Sequence, residues 1–493
     1  MSQSPKPGKN DLSSALGRYK AILPPERFER LQACALQAAP SAVRLNLLKC
    51  RDPQAFISRL AADYSWELSP LPYSDHAWQI RNTLTSPGKT IEHQLGNFYI
   101  QDAASILPVS LFSPAPRACL TLDMAASPGG KTTQLVDSVS DQSLVVANDS
   151  SANRLKALRS VTEIWGTVNT ILTNFPGEKW GSWFPETFDR VLLDAPCSME
   201  SLRDSPTHPH RPISQDERLR LAERQLALLT SALSAAKIGG EVVYSTCSLA
   251  PEEDEFVLDS LLKRFPGCAE IEQTTSKTFN TQGLMTFEAR QLDPSVQGSL
   301  RVWPDTFNTN GFFAAKLQKL APLTSGSEPP FSRPFETTRL SLISPSKQAQ
   351  LSEFVHEHYG FSLPEALQAF NLLILEREEQ LFLLPSLWLE TFASLPYYSL
   401  GMPLAHTSPQ GFELSVDFIL RFGDQFTKSV LTIEADQEKP WLQGLEIRNL
   451  DYPLGLQGRI LAIRSQNGLN LGAGKANPGR LRNLLPHRNL HLW

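Results

Sequence analysis

Residues 123–135 read DMAASPGGKTTQL. A phosphate-cradling P-loop requires a glycine, four residues, then Gly-Lys-Ser/Thr. Counting back from Gly130-Lys131-Thr132 places that first glycine at position 125, which is occupied by Ala125. Pro128 removes one further N–H from the cradle. The stretch therefore predicts a glycine-bearing turn that runs into a helix near Lys131 and admits a ligand close to the backbone, but not a triphosphate.

The turn follows the apolar run CLTLDM, and four more runs of the same kind come after it: SLVVAND, VNTILTN, DRVLLDAP and GEVVYSTCS. Helical patterns such as ERLRLAERQLALLTSALSAAK lie between them. Apolar strands alternating with helices predict a parallel sheet covered on both faces, with ligands bound beyond the carboxyl ends of its strands. We place this Rossmann-like α/β core at residues 96–320. Residues 1–95 read as a small N-terminal α/β domain, 321–336 (APLTSGSEPPFSRPFE) as a linker, and 337–493 as a third region of mixed strand and helix signals.

The second strand of the core ends in VVAND, which puts Asp149 nineteen residues after Gly130. An acid at that strand tip suits a ribose diol. An adenosine without phosphates meets both requirements, and S-adenosyl-L-methionine is the expected cofactor. Two further strand ends carry thiols. RVLLDAPCS sets Asp194 and Cys197 just past one strand, and VVYSTCS sets Cys247 just past another. Carbon 5 of a pyrimidine is too weak a nucleophile to attack a methyl sulfonium directly. A thiolate adding to carbon 6 pushes electrons onto carbon 5, and a second group can then assist release of the first sulfur. An acid near N3 and the exocyclic amine would stabilise the charge that develops. A free thiol is only a few per cent ionised at neutral pH, so the cleft has to favour the thiolate, and Lys131 is a candidate for that role.

The runs DMAASPGGKTTQL, DAPCS and YSTCSLAPEEDE together resemble the RNA cytosine-C5 methyltransferases of the Nol/Nop/Sun family. FYIQDAASILPVSLF, with Gln101, Asp102 and Ser105, is similar to that family too, as are AVRLNLLK and TNGFFAAKLQK; the resemblance spans roughly residues 40–320. WELSPLPY and the C-terminal LNLGAGKANPGRLRNLLP look closest to the bacterial RsmF type, which acts on small-subunit (16S) ribosomal RNA. The resemblance implies that Cys247 is the nucleophile, Cys197 the thiol that assists release, and Asp194 the acid facing the cytosine. It assigns Ala125, Ala126, Ser127, Pro128, Gly129, Gly130, Lys131, Asp149, Asn174 and Asp194 to cofactor contacts. It also implies a PUA-like RNA-binding module at the C-terminal end and an N-terminal domain that binds RNA. The expected activity is methyl transfer to carbon 5 of cytosine in 16S rRNA through a cysteine–C6 adduct. A tRNA substrate, or an rRNA-binding assembly factor without catalysis, are the alternatives. After DAPCS the family usually turns through a glycine, whereas here the chain continues MESLRDSPTHPHRP. This departure bears on substrate choice.

The net charge of -5 over 493 residues excludes a protein that grips nucleic acid through its bulk field, leaving local basic patches. One such run lies between residues 452 and 493, with Arg459, Arg464, Lys475, Arg480, Arg482 and Arg488 and no acid. Six cysteines without CxxC spacing fit reduced thiols in a cytoplasmic protein rather than a zinc framework. His208 and His210 stand two apart in a loop-like segment, read as solvent-facing, and no metal is expected. No apolar run approaches a membrane span, no secretory h-region is present, and a monomer that binds RNA and no membrane is the expected state. A DNA cytosine methyltransferase would use the Pro-Cys thiol, Cys197, and leave Cys247 unexplained. A nicotinamide dehydrogenase lacks its GxGxxG fingerprint.

Overall fold

The computed structural model describes residues 15–203, 213–273, 281–323, 327, 335–409, 411–450, 452 and 455–486. Its centre is a nine-stranded sheet. Five strands run parallel: β5 (Leu120–Asp123), β6 (Leu144–Asn148), β7 (Thr170–Thr173), β8 (Phe188–Asp194) and β9 (Ala236–Thr246). Side by side they stand in the order β9-β8-β5-β6-β7, with the strand Phe312–Lys319 antiparallel beside β9 and β10 (Ala269–Ile271) beyond it. β5, β6 and β7 are buried along their whole length, because helices cover both sheet faces and leave no position for an outward polar residue. The chain leaves β5 toward β6 on one side and lies beside β8 on the other. The carboxyl end of β5 is therefore the switch point where such sheets open a crevice.

The 21-residue helix Gln215–Ala235 starts at Ser214, whose side chain accepts from the Glu217 amide. Asp216 and Glu217 in its first turn favour the positive end of the helix dipole. It buries Leu228, Leu229, Ala232 and Leu233 against the sheet and passes directly into β9.

The N-terminal unit is a four-stranded antiparallel sheet in the order β2-β3-β1-β4: β1 (Ser41–Leu45), β2 (Glu67–Pro70), β3 (Ala77–Asn82) and β4 (Phe98–Asp102). β4 pairs along its full length with β1, from Ser41 opposite Asp102 to Leu45 opposite Phe98. FYIQD, expected on the core side of residue 95, thus completes the N-terminal sheet and leads straight into the cleft.

Residues 335 onward form two five-stranded sheets, one wholly antiparallel (341–414) and one with a single parallel pairing, Val430–Thr432 beside Ile460–Arg464. This region is fused to the core. Ser399–Leu400 hydrogen-bonds to β7 as the ninth strand, and Leu384, Trp388 and Phe392 share one apolar cluster with Trp180 and Phe188. The Phe188 and Phe392 rings stack 5.7 Å apart. No helix among the described residues is long and apolar enough to cross a membrane.

Candidate active site

The turn 124–129 lies at the carboxyl end of β5, and the helix Gly130–Ser138 begins from it. The Ser127–Pro128 peptide is cis. Gly129 has φ +116, and a Cβ there would stand 2.9 Å from Val161 Cγ1, so this tight turn against the next helix admits only glycine. The turn borders a cleft of about 440 Å³ lined by Tyr99, Gln101, Ser105, Asp123, Ala125, Ala126, Ser127, Pro128, Gly130, Lys131 and Asp194. The N-terminal unit supplies its far wall. Arg44, fully buried on β1, donates to Gly130 O (3.0 Å), Thr133 Oγ1 (2.7 Å) and Asp137 Oδ2 (2.5 Å), and so clamps the start of the cleft helix.

Three buried polar atoms on this lining have no hydrogen-bond partner among the described residues: Asp123 Oδ1, Gln101 Nε2 and Ser127 Oγ. Buried polar groups are normally paired, so they mark where a ligand's polar ends belong. Burial above all pushes the Asp123 carboxyl up to about 7, with the Thr132 hydroxyl bond opposing. A carboxyl poised there suits a cationic ligand. Together with Ala125 and Pro128, these groups fit a sulfonium nucleoside better than a phosphate.

Asp149 and Asn174 are not among the lining residues. Asp149 is buried behind the turn, where its carboxylate accepts from the amides of Ser127 (3.2 Å) and Ser151 (2.9 Å). Asn174 donates from Nδ2 to Asp149 O at 2.6 Å. Asp149 thus braces the turn, and Asn174 braces Asp149. Asn148, which sequence reasoning did not single out, ties the neighbouring strand ends by donating to Met124 O and Phe175 O and accepting from Thr173 Oγ1.

The two cysteines converge beside the cleft. Cys197 Sγ and Cys247 Sγ are 2.7 Å apart, although 50 residues separate them in the chain. Neither lines the cleft itself; the link runs through Asp194 and Lys131. Lys131 Nζ donates to Asp194 Oδ2 at 2.8 Å, and Ser245 Oγ donates to Asp194 Oδ1 at 2.7 Å. Burial opposes the Lys131 ammonium, but the Asp194 carboxylate, helped by Cys247 and Asp123, holds its pKa above the ordinary lysine value. The hydrogen bond to Cys247 and then burial raise the Cys197 pKa well above that of a free thiol. The turn after Cys197 is pinned by Arg203, which donates to Gln37 O, Ala38 O and Thr309 O, and by the bidentate pair of Glu200 with Arg218. His208 and His210 lie outside the described residues. Among the described residues no group of three or more His, Cys, Asp or Glu is placed to hold a metal ion.

Residues 110–318 match the family model described as 16S rRNA methyltransferase RsmB/F, and residues 15–103 that of the N-terminal domain of 16S rRNA methyltransferase RsmF. Ribosomal RNA small subunit methyltransferase F of Vibrio cholerae serotype O1 (strain M66-2) is 31% identical over 471 residues, covering 94% of each chain. The protein of the same name from Shewanella oneidensis is 31% identical over 461 residues, covering 93% of this chain and 92% of its own. A methyltransferase homolog from Pyrococcus horikoshii superposes with a TM-score of 0.55 at 30% identity, over 64% of this chain and 100% of that one. NSun6 from Pyrococcus horikoshii, solved with SFG, shares the fold at 18% identity with a TM-score of 0.52, over 64% and 98% of the two chains.

Fold and cleft thus define a methyltransferase whose cofactor is S-adenosyl-L-methionine. Within that class the chain belongs to the family of ribosomal RNA small subunit methyltransferase F.

Proposed function

We propose that this protein transfers the methyl group of S-adenosyl-L-methionine to carbon 5 of a cytosine in 16S ribosomal RNA through a covalent adduct with Cys247. The observation that carries the reading is the 2.7 Å contact of Cys197 and Cys247 beside the Lys131–Asp194 pair at the cleft. The names of the relatives, which specify small-subunit ribosomal RNA, support the choice of substrate.

The bound cofactor supplies an electrophilic methyl group on a sulfonium. Cys247 would add as thiolate through Sγ to carbon 6 of the ring, and the electron pair of the 5,6 double bond would move to carbon 5, which takes the methyl carbon as its bond to the sulfonium sulfur breaks and the thioether leaves. Asp194, oriented by Lys131 and Ser245, stabilises charge at the N3 edge of the ring. A base, the part proposed for Cys197 as thiolate, would then take the carbon 5 proton, which restores the double bond and expels Cys247 Sγ. Asp123, Gln101, Ser127 and the turn 125–131 would hold the cofactor, with Asp149 bracing that turn and Asn174 bracing Asp149. The target base has to leave its stack to reach this cleft. The C-terminal region is proposed as a PUA-like RNA-binding unit and the N-terminal sheet as a second RNA contact, in a protein that acts as a monomer in the cytoplasm.

The test is a pair of variants incubated with RNA and labelled cofactor. Cys247→Ala is expected to form no covalent RNA adduct, and Cys197→Ala to accumulate one that survives denaturation. The opposite pattern would move the nucleophile to Cys197. No adduct in either variant, with no methyl transfer by the wild type, would leave a binding protein. Bisulfite mapping of ribosomal and transfer RNA from a deletion strain is expected to show loss of methylation in 16S rRNA; a loss confined to tRNA would overturn the assigned substrate.

A further inference from the structure

The two thiols belong to a repeated dipeptide, Cys197-Ser198 and Cys247-Ser248. Beside the sulfur contact the two serine hydroxyls stand 3.2 Å apart, and both turn to a single carboxylate. Glu253 Oε1 accepts from Ser248 Oγ at 3.0 Å and from Ser198 Oγ. Its Oε2 accepts from the Ser198 amide at 2.8 Å and from Gln225 Nε2 at 3.0 Å. Each hydroxyl also accepts a backbone N–H, Glu200 N at Ser198 and Ala250 N at Ser248, which leaves its proton for Glu253. Gln225 reaches on to Pro196 O at 2.9 Å, gripping the residue before Cys197. Glu253 is fully buried and is not part of the cleft lining. One carboxylate thus holds two loops whose cysteines are 50 residues apart.

We propose that Glu253 is the positioning residue that sets the separation of the two sulfurs, by anchoring both Cys-Ser turns through Ser198 and Ser248. Its catalytic consequence rests on the cysteine chemistry proposed above, whereas the geometry it explains does not. A buried network of this kind fixes one arrangement, and removing a member releases the others. The Glu253 charge also adds, after the Cys247 hydrogen bond, burial and the Cys247 charge, to the influences that raise the Cys197 pKa.

The proposal is tested on the full-length protein equilibrated with oxidised and reduced glutathione. One glutathione disulfide is reduced to two thiols as Cys197 and Cys247 are oxidised to a disulfide, and the equilibrium constant reads the effective concentration of one thiol at the other. The disulfide-linked peptide is quantified by mass spectrometry. Glu253→Gln and Ser248→Ala are expected to lower that effective concentration by about tenfold or more, and to lower kcat while leaving KM for S-adenosyl-L-methionine unchanged. Should Glu253→Gln fail to fold, Ser198→Ala and Ser248→Ala each remove one arm alone. A wild-type effective concentration in the folded variants overturns the anchoring role, and a lowered one with unchanged kcat overturns its catalytic consequence. If the wild type methylates no RNA while the variants still loosen the pair, the proposed function fails and the anchoring role stands.

Discussion

Asp123 is the residue whose chemistry is most exposed to test. Burial holds its carboxyl at about 7, far above the ordinary value, so below that pH the free protein carries it neutral. A cationic ligand favours the ionised form, and binding therefore releases a proton in the interval below pH 7. Cofactor affinity measured by calorimetry is expected to rise by about tenfold between pH 6 and pH 8 and to be flat in Asp123→Asn. The same raised value fixes the stability sign. The folded state binds more protons than the unfolded chain between about pH 4 and 7, so this group's contribution to stability falls as pH rises through that interval and is constant above it. At this scale the sequence is informative about groups that share a motif. Asp194, Cys197 and Cys247 stand at strand ends within short recognisable runs, and the structure brings them together. Asp123 belongs to the opening stretch too, but its exceptional burial is set by β6 and β8 on either side of β5, which no local pattern announces.

At the level of elements, the cleft depends on β1 as much as on β5. Arg44 interrupts an otherwise apolar strand, and that interruption was its only sequence signal. Its partners Gly130, Thr133 and Asp137 lie 86 to 93 residues away. Arg44→Ala strands the Asp137 carboxylate in the interior, where burial already lifts its pKa to about 7. Losing one partner of a buried pair costs about 3–5 kcal/mol. The loss, measured by denaturant unfolding, is expected to be larger at pH 8 than at pH 6, because Asp137 escapes the penalty by taking up a proton at the lower pH. Strand identity in the parallel core was legible from continuous apolar runs bounded by turn residues. The partnership of β4 was not, because a five-residue strand carries no mark of which sheet it will join. Glu253 and Asn148 were hidden for the same reason: each works by joining elements that only the tertiary fold makes neighbours.

Across the whole molecule, the basic run after residue 452 proves less uniform than its composition. Arg464 is spent on the carbonyls of Gly423, Asp424 and Phe426, while Lys475 and Arg480 meet Glu413 and Glu446 from other elements. Arg459 and Arg482 make no ion pair among the described residues, and Arg488 lies outside them. In filter binding with 16S rRNA fragments, Arg459→Ala and Arg482→Ala are each expected to weaken affinity and reduce the slope of log K against log salt by about one. Arg464→Ala is expected to lower thermal stability and leave that slope unchanged. A run without acids in sequence acquires them in space, so its charge could not be read from the chain alone.

The proposed chemistry turns on which sulfur, if Cys247 acts as proposed, would bond to the RNA. Mass-spectrometric sequencing of the peptide–nucleotide adduct isolated from Cys197→Ala addresses it most directly. A cytosine nucleotide joined to Cys247 is the predicted result; a nucleotide on any other residue, or a wild type that methylates RNA through no cysteine adduct, would contradict it.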